Sequence, residues 1–221
     1  MRLGILIGIV SLFVPMIGKA ATVYLNKDNI SVSVGSNTGP GSSNNTFSGG
    51  QTIEKVIDAP AADAVDDHNQ TTHIWYSFPD PSDGLELIFD FGVSYDIATL
   101  HFWNYFGESF DVDQVDFSFF NSLGDLIGTE TILPPLGSST GNLATDIALV
   151  SPLNTRTVSA FLTGTNGQVD FQNIGFTAAV SDPNLDPEAP MSAVPLPATG
   201  LMMLSLLGLI SAGGRRFGSR A

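Results

Sequence analysis

The chain has 221 residues, 43% of them hydrophobic, 14% charged, and no cysteine. That length gives one domain room for a real core, and without disulfides the fold must rest on that core or on a bound metal. The charge is uneven: between residues 21 and 194 only Lys27, Lys55 and Arg156 oppose all 22 acids, so this region carries 3 − 22 = −19. No basic patch remains for phosphate, which excludes nucleic acid. Divalent cations and uncharged sugars suit such a surface, and solubility through self-repulsion is the plain alternative.

At the start, Arg2 precedes an apolar run from Leu3 to Ile17, and Gly18-Lys19-Ala20 places small residues at the −3 and −1 positions of a cleavage site. This describes a secretory signal peptide over residues 1–20. Pro15, near the end of the run, speaks against a permanent N-terminal anchor.

Residues 21–180 read as one β domain. Ala21 to Lys27 and Ile30 to Val34 alternate apolar and polar, as half-buried strands do. Residues 35–50 are mostly Gly, Ser, Asn, Thr and Pro, a loop without packing power and with Phe47 as its anchor. A short helix over 59–65 requires Pro60 in its first turn. Strands follow at Leu85–Phe91, Ile97–Phe106, Gln114–Asn121, Leu126–Leu133, Thr145–Val150, Thr157–Thr163 and Val169–Ala179, with Asn166-Gly167 as a hairpin turn. Eight or nine evenly spaced strands and 15 Phe predict an all-β antiparallel sandwich, with no amphipathic helix between them.

Residues 181–194 form a linker with Pro183, Pro187, Pro190 and the acids Asp182, Asp186 and Glu188. Residues 195–221 form the tail. Ala198 to Gly214 is uncharged and apolar all round a helix, unlike a surface-packed helix. Its length is roughly 25 Å at about 1.5 Å per residue, against a bilayer core of ~30 Å. Arg215, Arg216 and Arg220 follow, marking the cytoplasmic side. A plain tail anchor satisfies these features. Beyond them, Val194-Pro195-Leu196-Pro197-Ala198, an apolar helix and the pair Arg215-Arg216 resemble the VPLPA variant of the PEP-CTERM sorting signal, although Pro-Glu-Pro itself is absent. The resemblance implies an exosortase-type processing protease as partner, delivery to the surface of a Gram-negative cell, and company with exopolysaccharide and biofilm matrix.

Catalytic patterns are weak. Gly137-Ser138-Ser139-Thr140-Gly141 matches Gly-x-Ser-x-Gly but follows Pro134-Pro135 in a polar loop, not a strand-to-helix turn. Glu86 and Asp90 share a strand face with Cα atoms about 13 Å apart, beyond the ~5–9.5 Å carboxyl separations of glycosidases; solvent-facing charges are the better reading. His68 and His73 with Asp66 and Asp67 match no zinc spacing, and the expectation is solvated loop histidines.

A further set of residues runs through the domain: Val56-Ile57-Asp58, then Thr71, Thr72 and Trp75-Tyr76-Ser77, then Trp103-Asn104-Tyr105, and finally Phe171-Gln172-Asn173-Ile174. In order and spacing, residues 53–179 resemble the discoidin or coagulation-factor C-type domain, a galactose-binding-like jelly roll used by many carbohydrate-binding modules. Ala59 stands where the family has Gly, and Asn173 where it has Glu. The resemblance implies a structural Ca²⁺ held by Asp58, Thr72 and Asn173, oxygen ligands of the kind Ca²⁺ takes. It also implies a sugar platform at the sandwich rim, for which Trp75, Tyr76, Tyr105 and Phe106 are the aromatic candidates, with core packing as their ordinary role. The expected function is non-catalytic glycan binding at the cell surface or in the extracellular polysaccharide. A structural surface protein acting through Ca²⁺ or protein contacts is the alternative, and a hydrolase ranks last.

Overall fold

A computed structural model describes residues 21–44 and 53–181. The N-terminal apolar run, Phe47, the linker after Ser181 and the whole C-terminal tail lie outside the described residues. Among the described residues no helix is long and apolar enough to cross a membrane.

Nine strands form among the described residues: β1 Thr22–Leu25, β2 Ser31–Val34, β3 Ser42–Asn44, β4 Ile74–Ser77, β5 Leu85–Asn104, β6 Gln114–Phe120, β7 Leu126–Ile132, β8 Thr145–Thr163 and β9 Gln168–Val180. Every pairing between them is antiparallel. The order is β3-β4-β9-β5-β8-β6-β7, with β1 added on β9 and β2 on β5. Two layers arise because the long strands change partners along their length. β5 runs between β2 and β8 at Leu87–Asp90, then between β9 and β8 from Tyr95 to Phe102. The ladder with β8 breaks between Asp90 and Tyr95, where Gly92 takes φ +71°, a conformation open to glycine at little cost.

The core lies between the layers. Val115, Phe117 and Phe119 bury one face of β6 while their neighbours stay half exposed, the period-2 pattern of a strand with one wet face. Phe89 and Phe91 meet Phe176 edge-on at 5.1 and 5.2 Å. Phe102 stacks on Phe171 at 5.6 Å. Trp103 is fully buried and its Nε1 donates to the Ala64 carbonyl at 2.9 Å. The fold is the expected all-β antiparallel sandwich.

Five local expectations are corrected. The segments at 85–91 and 97–106 are one bent strand. So are those at 145–150 and 157–163, with Pro152 tolerated because β8 leaves the β5 ladder between Ala148 and Leu153. No helix forms over 59–65; a 3-10 helix at Ile53–Ile57 precedes it. Ala59, before Pro60, is biased away from the helical region, and its N–H donates to Asn173 Oδ1 at 2.9 Å. Glu86 is not on the solvent face. It is 8% exposed and accepts from Asn37 N (2.9 Å), Asn37 Nδ2 (3.0 Å) and Ser159 Oγ (3.0 Å). The start of the polar loop therefore packs after all, with a carboxylate as its anchor, and Gly35 backs so closely on Glu86 that a Cβ there has no room. Asp90, by contrast, is exposed and paired with Arg156.

Candidate functional site

Strands β4 and β9 and two loops enclose a pocket of about 230 Å³ lined by Gln70, His73, Trp75, Tyr105, Phe110 and Asp170. The register explains the convergence. Trp75 lies opposite Asp170 across the β4–β9 ladder, and His73, two residues before Trp75, shares its face. Tyr105 follows the last residue of β5, and Phe110 stands on the next loop, 6.3 Å from the Tyr105 ring. Trp75 is half-buried, and its Nε1 donates to Gln168 Oε1 at 3.0 Å, which holds the indole in place beside the pocket. Three aromatic faces thus meet an imidazole, a carboxylate and an amide.

The polar floor is buried. His73 and Asp170 are each 3% exposed, and His73 Nδ1 lies 2.9 and 2.8 Å from the two Asp170 oxygens. Burial pushes the Asp170 carboxyl above its ordinary pKa, against the opposing pull of His73 and His68. Tyr105 is also raised, by burial and then by the Asp170 charge. His68 packs edge-on against His73 at 4.7 Å and Tyr105 at 4.6 Å. Its Nδ1 receives a 3.3 Å contact from Gln172 Nε2, and Gln172 is in turn held by Asn142 Nδ2 at 3.2 Å.

Of the four aromatic candidates, Trp75 and Tyr105 line this pocket. Tyr76 does not: one residue on along β4, it faces the other way, stacking on Phe78 at 4.7 Å and packing against the core. Phe106 is exposed beside Tyr105 and 5.7 Å from His68, just outside the pocket. Sequence reasoning missed Phe110, Gln70 and Asp170. Alternation could have joined His73 to Trp75; nothing in the sequence ties Phe110 or Asp170 to them.

Of the residues expected to hold Ca²⁺, Asp58 and Thr72 line a neighbouring recess of about 310 Å³ together with Lys55 and Asp66. Asp58 is joined there by Asp66 from the acidic loop. Between the two carboxylates sits the chain's own ammonium: Lys55 Nζ is 3.1 Å from Asp58 Oδ1 and 2.9 Å from Asp66 Oδ2. Asn173, fully buried, donates through Nδ2 to Asp58 Oδ1 at 3.0 Å and to Asp66 Oδ2. Its carbonyl oxygen already accepts from Ala59 N. Turning the amide over would set oxygen against two carboxylates and nitrogen against an N–H, so the network fixes the orientation. Ca²⁺ takes six to eight oxygens. This arrangement presents an ammonium and an amide N–H₂ instead, and does not fit the ion as it stands. Lys55 was the unrecognised member. Its sequence signal is the i, i+3 spacing to Asp58, and it is one of three basic residues in the acidic region.

Three further polar side chains tie loops and strands together. Asn104 ties Val112 through both its side-chain oxygen and nitrogen. Asn142 accepts from Ser138 N at 2.8 Å and places the Gly137–Gly141 segment in a loop. His101 is spanned by Asp146 and Thr177, each at 2.7 Å.

No protein-family model matches the chain, and no curated protein matches it. Solved structures are similar at low identity. A family 32 carbohydrate-binding module from Clostridium perfringens NanJ, in complex with galactose, is 13% identical, with 71% of this chain and 99% of that chain covered and a TM-score of 0.46. An F5/8 type C domain from Bacteroides fragilis is 10% identical, covering 72% and 98%, with a TM-score of 0.49. The lectin domain of lectinolysin, complexed with Lewis B antigen, is 12% identical, covering 72% and 100%, with a TM-score of 0.42.

Proposed function

We propose that this chain is a non-catalytic glycan-binding protein that seats one sugar ring in the Trp75–Tyr105–Phe110 pocket. The single observation that carries this reading is the pairing of an aromatic wall with a buried polar floor. A pyranose has an apolar C–H face and a rim of hydroxyls. The first suits stacking on Trp75 and Tyr105, the second suits donation to Asp170 and exchange with His73 and Gln70. About 230 Å³ is below the range typical of drug-sized ligands and suits a single ring or chain end. The −19 charge disfavours anionic polymers, so the glycan is neutral at the bound residue. With the signal peptide and the sorting tail read from sequence, the proposed setting is the surface of a Gram-negative cell or its exopolysaccharide matrix, reached through an exosortase-type protease.

The test is binding of the full-length protein to a panel of immobilised neutral glycans, repeated with Trp75→Ala and Tyr105→Ala. Saturable binding that falls at least tenfold in each variant, while each still unfolds cooperatively from a folded state, is the expected result. Self-association or protein capture without any glycan signal would instead favour a structural surface protein.

A further inference from the structure

His68, His73 and Asp170 each bring one ligating atom to within 4.8 Å of the others. Two imidazoles and one carboxylate are the donor set of borderline divalent transition ions, Zn²⁺ foremost, and a poor set for Ca²⁺. Sequence spacing concealed the cluster because Asp170 comes from β9, about a hundred residues away, and replaces the nearby Asp66 and Asp67. Those two are engaged elsewhere, Asp66 with Lys55 and Asp67 with the Asn142 N–H.

Two observations point to a cation at this place. The first is the under-served carboxylate. Asp170 is buried, and among the described residues His73 Nδ1 is the one donor to its oxygens, although a carboxylate offers about four acceptor sites and buried polar groups are normally satisfied. The second is the spacing. Ligand atoms ~2.0–2.1 Å from a tetrahedral Zn²⁺ stand about 3.3 Å apart. The His73–Asp170 contact of 2.8 Å has to open by about half an ångström, and His68, on an irregular half-exposed segment, has to close in. The Gln172 contact it gives up is long, at 3.3 Å, and correspondingly weak. We propose that the chain binds one Zn²⁺-class ion through His68, His73 and Asp170, with the remaining coordination position turned to the pocket and filled by water. The ion takes the place of the proton that His73 Nδ1 shares with Asp170 and is bound by neutral imidazole nitrogens. The inference needs no sugar and stands if the glycan reading fails.

The experiment titrates the full-length protein with Co²⁺, read by its visible d–d bands, followed by Zn²⁺ competition. One equivalent of Co²⁺ with bands of tetrahedral intensity, bleached by one equivalent of Zn²⁺ and untouched by Ca²⁺, is expected. His68→Ala and His68→Gln, on the half-exposed segment, should each weaken Zn²⁺ binding at least tenfold while the thermal midpoint without metal stays put. Asp170→Asn should do the same where it folds. The absence of bands overturns the proposal, and so does Zn²⁺ affinity equal in wild type and the His68 variants, which would assign the ion to scattered surface carboxylates.

Discussion

Two carboxylate clusters are built from the same two pieces of chain, the segment between residues 55 and 73 and strand β9, and they are resolved in opposite ways. In the first, Asp58 and Asp66 share Lys55 and the Asn173 amide, so each charge has a countercharge and a hydrogen bond. In the second, Asp170 is buried more deeply and is met by one imidazole nitrogen. The closed cluster pins the loop that leads toward His68 and His73. The open cluster faces a pocket with three aromatic walls. Satisfaction in one place provides the rigidity that lets the other remain short of partners, the relation expected between a scaffold and a binding site.

Removing the internal cation is the most forceful way to break this contrast. Lys55→Ala leaves two carboxylates facing each other around a buried amide. Losing one partner of a largely buried pair costs about 3–5 kcal/mol; with Asp58 and Asp66 partly exposed, roughly 2–3 kcal/mol is expected in urea unfolding. The variant should also show a Ca²⁺-dependent rise in thermal midpoint, by preferential binding to the folded state, larger than any in the wild type. An equal Ca²⁺ response in both proteins would show that Lys55 does not hold the cation's place.

The sandwich was legible in the sequence because its signal is local. Val115, Phe117 and Phe119 announce a strand by alternation alone, and the turn glycines bound it. Strand continuity through Gly92 and Pro152 was not legible, since whether a chain bends or stops at such residues depends on the partners β2, β8 and β9 offer on each side. The site was legible in part. Trp75 and Tyr105 were identified as rim aromatics, whereas Tyr76 points inward because a strand reverses its face at every residue. The choice between Ca²⁺ and an ammonium at Asp58 turned on Lys55, a residue read only as part of a charge count. Asp170 became visible only through its register with Trp75.

The shortage of partners on the open side extends to Asp111. Its backbone bridges Asp170, and among the described residues its buried Oδ1 has no partner. Burial, then the charges of Asp113 and Glu108, push its carboxyl up to about 6, against the Asn104 side chain, which favours the ionised form. A folded-state value above the unfolded one means that the native protein holds this proton more tightly. Its contribution to stability is therefore complete below about pH 4 and is lost as pH rises through 6. Asp111→Asn should flatten that fall and stabilise the protein at pH 8 by on the order of 1 kcal/mol, after allowance for solvent screening. Denaturant unfolding of both proteins from pH 4 to 8 measures the difference. A variant less stable than wild type at pH 8 would mean that the ionised carboxylate finds a partner after all.

The smallest effect is expected where the same chemistry lies on the surface. Arg156 Nε meets Asp90 Oδ1 at 3.0 Å, as close as Lys55 meets its carboxylates, but the two side chains are 37% and 54% exposed. Asp90 is held below the usual carboxylate range first by the Gly92 N–H, at 2.9 Å, against the opposing effect of burial, and only then by the arginine. Removing Arg156 leaves a solvated charge that keeps its backbone donor, so Arg156→Ala should change stability by less than about 0.5 kcal/mol and by still less at high salt. Distance alone does not rank the two pairs; burial and the number of groups left unserved do. A loss in Arg156→Ala as large as that in Lys55→Ala would instead make the net charge of the domain the controlling quantity, since each variant removes one of its three positive side chains.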